Sequence, residues 1–504
     1  MISKRRYVFG HGDRPLHVVL GVLVLTCACA PVTSRDDART AASSSRSGAI
    51  TDRHARPPAI DTLLIRNHTR VLAHDSLGGR GTGTAGALGA ALYIARQLDQ
   101  LGAVPLEGVP GAPSSYLLPV PLLRADVADA TLTLTDENGV ARVLRHGAGF
   151  VLGRVGRDGL HAAEGPVARL QADSESVEGG AWVLLDAPPG EAATRWLPAW
   201  KLAGAAGVVV RLARDAVVAA YHQQLGDVRW LLESGGPDPV WQPDLPVVMV
   251  APAIAEALTE KGVRLSLAPR ARTKAFVDYN VAGIIASDGL ADDDPLIAMT
   301  AHYDHLGTIR GGSSTDSVFN GFSDNAAGVA MLLAIAAGAH AAPPVRPLLL
   351  LFPAAEEVGL LGSIHFVRDH PDLVDRMQAL VNLDAGAPPA PPTRWRLAAG
   401  TRSWAGDVAA TVVEAHGWTH RSDPGSPNSD HWPFVAAGVP AVFLIPDGGY
   451  EGVDSAGAER LRARWDRYHR PDDEWAPDFP FSGLGRYAAL ARDIAWALAQ
   501  ASTR

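Results

Sequence analysis

Cysteine is nearly absent from this chain of 504 residues, in which Cys27 and Cys29 are the two that occur. Disulfide bonds and thiolate chemistry are therefore excluded beyond residue 29. Charge of one sign is not in large excess either, because 45 Lys and Arg stand against 54 Asp and Glu, for a net charge of −9. Such a mildly acidic protein has no electrostatic attraction for nucleic acid, so none is expected as a partner. The hydrophobic share of 47% predicts a folded core, and the length predicts two or three domains.

One long apolar run lies near the N-terminus, at residues 18–28, and it follows three basic residues at positions 4–6. This pattern is typical of an export signal, and the run is shorter than the roughly 20 residues of a membrane span. The sequence at residues 25–30 is similar to a bacterial lipoprotein signal, in which a lipidated cysteine becomes the mature N-terminus. We predict a signal peptide at residues 1–30 and an exported protein that is periplasmic, a cell-envelope lipoprotein or secreted. A lipid anchor would be its single contact with a membrane.

The rest of the chain divides into four parts by composition and periodicity. Residues 31–57 are rich in Ser, Ala, Arg and Pro, which predicts a disordered tether. Residues 58–114 show helical spacing of apolar positions, near 60–73 and 88–101. Residues 115–275 alternate short β-type runs with few helices and are predicted to form a small β-rich domain; the runs are 130–135, 181–186, 208–211 and 246–250, with one helix at about 191–206.

Residues 276–504 alternate strands with helices and are predicted to form the catalytic domain. The predicted strands are 281–286, 296–301, 347–352, 379–383 and 441–445, and the predicted helices include 326–338 and 361–369. Nearly continuous apolar strands separated by helices indicate an α/β fold, with a mixed, mostly parallel sheet sandwiched by helices. Ligands of such folds collect beyond the carboxyl ends of the strands.

Polar residues follow three of these predicted strands directly. His302 and Asp304 follow 296–301, Glu356 and Glu357 follow 347–352, and Asp384 follows 379–383, while Asp324 precedes a predicted helix. Carboxylates gathered in one cleft would be driven to protonate unless a cation compensates them. Imidazole and carboxylate without thiolate suit zinc, and also manganese or cobalt. Alone, a His-x-Asp is more often a surface ion pair and a Glu-Glu pair is more often a solvated face, while an acid after a strand is equally typical of a helix cap.

Together the motifs and their spacing are specific. They are Ala301-His302-Tyr303-Asp304-His305-Leu306-Gly307, Asn320-Gly321-Phe322-Ser323-Asp324-Asn325-Ala326-Ala327-Gly328, Glu356-Glu357-x-Gly359-x-x-Gly362-Ser363, Asn382-Leu383-Asp384, Ser429-Asp430-His431-x-Pro433-Phe434 and Tyr468-His469-x-x-x-Asp473. From about residue 60 onward the chain resembles the zinc aminopeptidases of peptidase family M28. It resembles the branch with an inserted protease-associated domain, since residues 200–210 look like the core of that module. Ser323 departs from many relatives, which have a second Asp there.

The resemblance implies a zinc-exopeptidase-like fold and a centre of two zinc ions bridged by Asp324. One zinc would add His302 and Asp384 as ligands, and the other would add Glu357 and His469. Two such cations activate a shared water and stabilise charge on the peptide carbonyl.

The resemblance also implies roles for three further residues. Glu356 would be the general base that moves a proton from water to the leaving amine. Asp304 would accept the second imidazole proton of His302, although a turn residue is the alternative. Tyr468 would polarise the substrate carbonyl, with simple packing as the alternative.

No role as a metal ligand is predicted for the remaining histidines. His431 either shapes the substrate pocket or is structural. The others are assigned to the scaffold or the surface, namely His305, His340, His365, His370, His416 and His420.

The expected function is therefore that of an exported di-zinc aminopeptidase acting on peptides. A zinc acyltransferase of the glutaminyl cyclase type is the first alternative, because it resembles this fold and its Glu-Glu pair. A non-catalytic, receptor-like ectodomain is the second, and would be expected to have lost ligands or the general base. A serine hydrolase is disfavoured because no Gly-x-Ser-x-Gly motif occurs.

Overall fold

The computed structural model describes residues 58–153, 160–169, 177, 179–185, 200, 203–213, 218, 226–233, 245–286, 291, 293–308 and 316–501. The predicted signal peptide, the predicted tether and most of the helix predicted at 191–206 lie outside these residues.

The described strands fall into two large sheets and one small ribbon. In chain order they are β1 (Val104–Pro105), β2 (Leu117–Asp126), β3 (Thr131–Thr135), β4 (Ala141–Arg145), β5 (Phe150–Leu152), β6 (Ala163–Arg169), β7 (Trp182–Leu185), β8 (Gly207–Arg211), β9 (Val228–Leu232), β10 (Val247–Val250), β11 (Arg264–Ala268), β12 (Arg272–Ile285), β13 (Leu296–Thr300), β14 (Gly307–Thr308), β15 (Val318–Phe319), β16 (Leu348–Phe352), β17 (Met377–Asn382), β18 (Arg394–Ala398), β19 (Thr419–Asp423) and β20 (Ala441–Pro446).

The described α-helices lie mainly at the two ends of the chain. They are α1 (Thr62–Leu72), α2 (Ala85–Gln100), α3 (Pro252–Ala257), α4 (Ala327–Ala341), α5 (Leu361–Asp369), α6 (Pro371–Asp375), α7 (Trp404–Ala415), α8 (His431–Ala436), α9 (Ser455–Trp465) and α10 (Ser482–Gln500). Short 3₁₀ turns occur at Asp75–Arg80 and Pro113–Tyr116, and a π-type turn at Phe322–Ala326 leads into α4.

The first sheet has ten strands in the order β19-β18-β20-β17-β13-β16-β12-β2-β9, with β1 paired to β12. Its centre is parallel, since β13 pairs in parallel with both β16 and β17, and β17 pairs in parallel with β20. Antiparallel pairs of β12 with β16 and of β18 with β20 flank this centre. The predicted mixed α/β sheet is confirmed, but it is not mostly parallel, because five of its nine described strand pairs are antiparallel.

Both faces of this sheet are buried, which follows from the alternation of side chains along its strands. Ile297 and Met299 of β13 join a core with residues of α1, α2, α4, α7 and α10. Leu296 and Ala298 of the same strand join a second core with Phe366 of α5. Helices therefore cover the sheet on both sides, which explains the continuous apolar sequences of its central strands.

The second sheet has eight strands in the order β4-β3-β11-β6-β7-β8-β10-β5. It lies in the chain between β2 and β12, which pair with each other antiparallel from Leu117 opposite Val281 to Asp126 opposite Arg272. The β-rich part predicted at 115–275 includes β2 and β9, yet both strands belong to the ten-stranded sheet. They belong there because β2 pairs with β12 on one side and with β9 on the other.

Helix α4 is apolar on nearly every side. Among the described residues, Phe322–Ala341 is the one helical segment long and apolar enough to cross a membrane by length and composition. Its most apolar 18-residue window is 83% buried within the protein, as expected of a core helix. The helix packs against both α1 and α10.

Candidate metal centre

The candidate site lies at the edge of the ten-stranded sheet where its central strands end. His302 follows β13, Glu356 and Glu357 follow β16, and Asp384 follows β17. These three strands run parallel, so their carboxyl ends meet at one edge. Asp324 arrives from the turn before α4 and is 6% exposed. The expected gathering of histidine and carboxylate side chains is thus present.

One group of polar atoms surrounds His302, and we call it the His302 end. The Nε2 atom of His302 lies 2.9 Å from Oδ1 of Asp384 and 3.3 Å from Oδ1 of Asp324. Oε2 of Glu356 lies further away, at 4.0 Å. Ser429 donates a hydrogen bond of 2.5 Å to the other oxygen of Asp384, and Asn382 donates one of 2.7 Å to Ser429.

A second group surrounds His469, and we call it the His469 end. The Nε2 atom of His469 lies 3.1 Å from Oδ2 of Asp324 and 3.2 Å from Oε2 of Glu357. His469 belongs to the segment between α9 and α10 and has a left-handed backbone, with φ of 55°. The carboxylate of Asp473 accepts hydrogen bonds from the backbone N–H groups of Ser323 and Asp324. It therefore connects the segment that carries His469 to the turn that carries Asp324.

Asp324 connects the two ends, because Oδ1 faces His302 and Oδ2 faces His469. The donor set of imidazole and carboxylate at both ends fits zinc. Among the described residues, Nε2 of His469 is a buried nitrogen without a hydrogen-bond partner, although two carboxylate oxygens surround it. A ring nitrogen aimed between two carboxylates in this way suits a bound cation, so the residues present fit the predicted group.

The carboxyl pKa values diverge within this centre. Burial alone raises the pKa of Asp324, but the imidazoles of His302 and His469 beside it outweigh burial and hold that pKa well below its ordinary value. Burial raises the pKa of Glu356 well above its ordinary value, against the lowering effect of His302 and with a further rise from Asp384. Glu356 is thus suited to hold a proton, whereas Asp324 stays ionised.

Asp304 has contacts that differ from those predicted. The Nδ1 atom of His302 lies 3.2 Å from the backbone carbonyl oxygen of Asp304, closer than the 3.7 Å to its carboxylate. That carboxylate instead accepts the backbone N–H groups of Glu356, at 3.0 Å, and of Glu357, at 3.3 Å. Thr82 donates a further bond of 3.3 Å. Asp304 therefore fixes the Glu356-Glu357 turn as well as the His302 ring.

His305 lies inside the centre, where the sequence analysis expected a scaffold or surface residue. It is 2% exposed, and its Nδ1 atom lies 2.7 Å from Oε1 of Glu357 and 3.7 Å from Oδ2 of Asp324. With Asp324, Glu357 and His469 it forms a group able to hold a metal ion. The available sequence signal was its position three residues after His302, within the same segment after β13.

The buried guanidinium of Arg80 holds several segments of the centre together. It donates to the backbone carbonyl oxygens of Leu72, Tyr303 and Asn320, each at 2.6 Å, and of Gly321 at 2.9 Å. Burial lowers the pKa of Arg80 to about 10, so the group remains a cation at neutral pH. It links the segment after β13 to the turn before α4.

A cavity of about 410 Å³ opens over the centre. Asp324 and Asp384 lie in its wall together with three aromatic side chains, Tyr450, Trp465 and Tyr468. The ring of Tyr468 is 64% exposed and stacks on the imidazole of His469 at 3.8 Å between ring centroids. Concave pockets with an apolar wall and a few polar groups are typical of ligand sites.

His431 lies outside both ends of the centre. It is fully buried and packs against Phe443, with 5.1 Å between ring centroids. Among the described side chains, its two ring nitrogens belong to those that lack a hydrogen-bond partner. Burial lowers the pKa of His431 to about 3. The structure therefore favours the structural alternative for this residue.

The fold and site define an α/β protein with a histidine and carboxylate centre at the carboxyl edge of its sheet. Residues 280–494 match the model of peptidase family M28. It is 28% identical over 244 residues to aminopeptidase YwaD of Bacillus subtilis (strain 168), covering 45% of this chain. The match covers 46% of that relative, so the chain spans about half the length of the curated protein it matches.

The chain was also compared with solved structures. The aminopeptidase from Aneurinibacillus sp. strain AM-1 superposes with a TM-score of 0.53 and 18% identity, covering 86% of this chain and 93% of that one. A zinc aminopeptidase from Bacillus subtilis has a TM-score of 0.46 and 20% identity, with 87% and 95% of the two chains covered. The first of these structures shares its fold with most of this chain.

Proposed function

We propose that this protein is an aminopeptidase with two zinc ions, which removes N-terminal residues from peptides. The observation that carries the proposal is the position of Asp324, with one oxygen toward each of two histidine and carboxylate groups in an M28 domain. Asp324 would be shared by both ions, with His302 and Asp384 completing one site and Glu357 and His469 the other. The ions would supply activation of a water and stabilisation of negative charge on the peptide carbonyl.

Glu356 is the proposed general base. Its Oε2 atom lies near the His302 end but further from His302 than either Asp324 or Asp384, which leaves the carboxylate for proton transfer. Because burial raises its pKa, it can accept a proton from water and then give it to the leaving amine. Asp304 keeps it in place through the backbone N–H of Glu356.

The cavity beside the centre is the proposed site for the first side chain of the peptide. Its aromatic wall of Tyr450, Trp465 and Tyr468 favours an apolar side chain by burial. Tyr468 is close enough to His469 to reach a substrate carbonyl there, which is consistent with its expected role.

Residues 18–28 support export, with lipidation or free secretion as the two fates. The second sheet is proposed to be a protease-associated domain.

The test combines metal content with amino acid release from aminoacyl-nitroanilides. Wild type is expected to hold about two zinc ions per chain, to lose activity with a chelator and to regain it with zinc. Glu356→Gln should keep its metal and lose activity by about 10²–10⁴-fold. Glu414→Gln is the matched control, because Glu414 is a largely exposed residue of α7.

Two outcomes would contradict the proposal. Wild type with two zinc ions but no release from any aminoacyl substrate would exclude the exopeptidase, and cyclisation of glutaminyl peptides would be measured next. Wild type without bound metal would exclude the two-zinc centre altogether.

A further inference from the structure

We propose that His305 is a positioning residue that holds Glu357 as a one-oxygen metal ligand at the His469 end. The inference rests on the proposed two-metal centre and adds a residue to it. The imidazole acts through its hydrogen bond to Glu357 and does not itself bind the metal.

The two oxygens of Glu357 face different partners. Nδ1 of His305 lies 2.7 Å from Oε1, whereas Nε2 of His469 lies 3.2 Å from Oε2. A separation of 2.7 Å is typical of a charge-assisted hydrogen bond from an imidazole N–H to a carboxylate. With Oε1 occupied by this bond, Oε2 is the oxygen presented toward His469 and Asp324, where the metal would lie.

The position of the His305 ring is fixed by its surroundings. The backbone N–H of His305 donates to the carbonyl oxygen of Arg80 at 3.3 Å. Gly321 leaves room for the ring, because a Cβ atom at that position would lie 2.6 Å from its Cγ and Cδ2 atoms. The backbone of Gly321 is left-handed, with φ of 57°, which glycine adopts readily. The ring therefore occupies a space that the fold keeps open.

The His302 end has a matching arrangement with a different donor. There Oδ1 of Asp384 faces His302, and Oδ2 accepts the hydroxyl of Ser429 at 2.5 Å. Each outer carboxylate thus has one oxygen toward its histidine and the other on a supporting donor. Such supporting donors change metal affinity by about 10–100-fold when they are removed. Ser429 consequently provides a control at the opposite end of the same centre.

The experiment titrates Co²⁺ into metal-free full-length protein and records visible absorption, with wild type, His305→Ala, His305→Gln and Ser429→Ala. Removal of the imidazole is expected to weaken one of two binding steps by about 10–100-fold, while two ions still bind at saturation. Gln, whose side-chain amide can donate to Oε1, should recover part of the loss. Ser429→Ala should weaken the other step.

A double variant with His469→Ala shows which metal-binding step His305→Ala weakens. In that background the His469 end is already damaged, so adding His305→Ala should change the affinity of the remaining ion less than about 2-fold. Circular dichroism of each variant establishes that it is folded, and His305→Gln carries the test if His305→Ala is not.

Each other result overturns the inference. A His305→Ala protein that binds one Co²⁺ at saturation would make His305 a direct ligand. Unchanged affinity at both steps would leave the hydrogen bond without effect on metal binding. Wild type that binds no Co²⁺ would remove both this inference and the two-metal function, whereas wild type with two ions and unchanged variants removes the inference alone.

Discussion

The two ends of the metal centre are built by different means. At the His302 end, His302 and Asp384 follow the central strands β13 and β17 directly. At the His469 end, His469 comes from an irregular segment and has the exposed Tyr468 beside it. Buried neighbouring strands place the first end, whereas at the second end a strand places Glu357 and side-chain contacts of Asp473 and His305 support the rest. The comparison teaches that one centre can combine residues placed by a sheet with residues placed by side-chain contacts.

The largest expected effect comes from removing the residue that the two ends share. Asp324→Ala should abolish binding at both ends, and activity should fall at least about 10³-fold because several kcal/mol of transition-state stabilisation are lost. Zinc content and amino acid release measure this. Asp454→Asn, at the exposed start of α9, is the matched control. Two zinc ions retained in Asp324→Ala would show that the ends do not share a ligand.

Arg80 provides the next largest effect, since it supports both ends at once. Arg80→Met removes the donor to four buried carbonyl oxygens, which should lower the free energy of unfolding by about 3 kcal/mol. Urea unfolding of the metal-free protein measures the change. Arg96→Met, on the exposed side of α2, is the control.

The metal affinity of Arg80→Met then shows whether Arg80 supports both ends of the centre or one of them. If Arg80→Met weakened one metal step alone, Arg80 would act on a single end and the expectation would be wrong.

Acid should act through His431, which is buried outside both ends of the centre. The unfolded chain protonates His431 near the ordinary pKa of 6.5, while the folded protein does so only at about 3. Unfolding therefore takes up a proton between these values, and wild-type stability should fall by about 1.4 kcal/mol per pH unit more steeply than that of His431→Phe. Urea unfolding of the metal-free proteins at pH 5, 5.5 and 6 gives both slopes. Equal slopes would mean that folded His431 is protonated.

The smallest effect is expected from the exposed ring at the His469 end. Tyr468→Ala removes a ring that stacks on His469, and such contacts contribute about 0.5–1.5 kcal/mol. Zinc affinity at this end should fall by roughly 2- to 12-fold, with the His302 end unchanged. Tyr468→Phe should keep the affinity because it keeps the ring. Equal losses at both ends would contradict the division drawn above.

The same division explains what was predictable from the sequence. His302, Glu357 and Asp384 follow apolar strands, and parallel strands bring their carboxyl ends together, so pattern alone indicates a common edge. The place of His305 depends on a space left by Gly321 and on a carbonyl of Arg80, both distant in the chain. Likewise, the spacing of Asp304 from His302 does not reveal that its carboxylate accepts the N–H groups of Glu356 and Glu357. Periodicity also could not assign β9 to the ten-stranded sheet, since pairing partners are set by tertiary contact.

The pairing of β2 with β12 has a consequence for how such chains change over evolution. The segment that carries the second sheet begins and ends at one antiparallel pair, whose outermost partners are Asp126 and Arg272. Exposed connections of this kind are where inserted segments are best tolerated. Of the described strands between them, β9 alone joins the ten-stranded sheet, and it does so at an edge. The segment between β2 and β12 can therefore be lengthened or exchanged at these connections, while the register of the strands that bear the candidate metal centre stays the same.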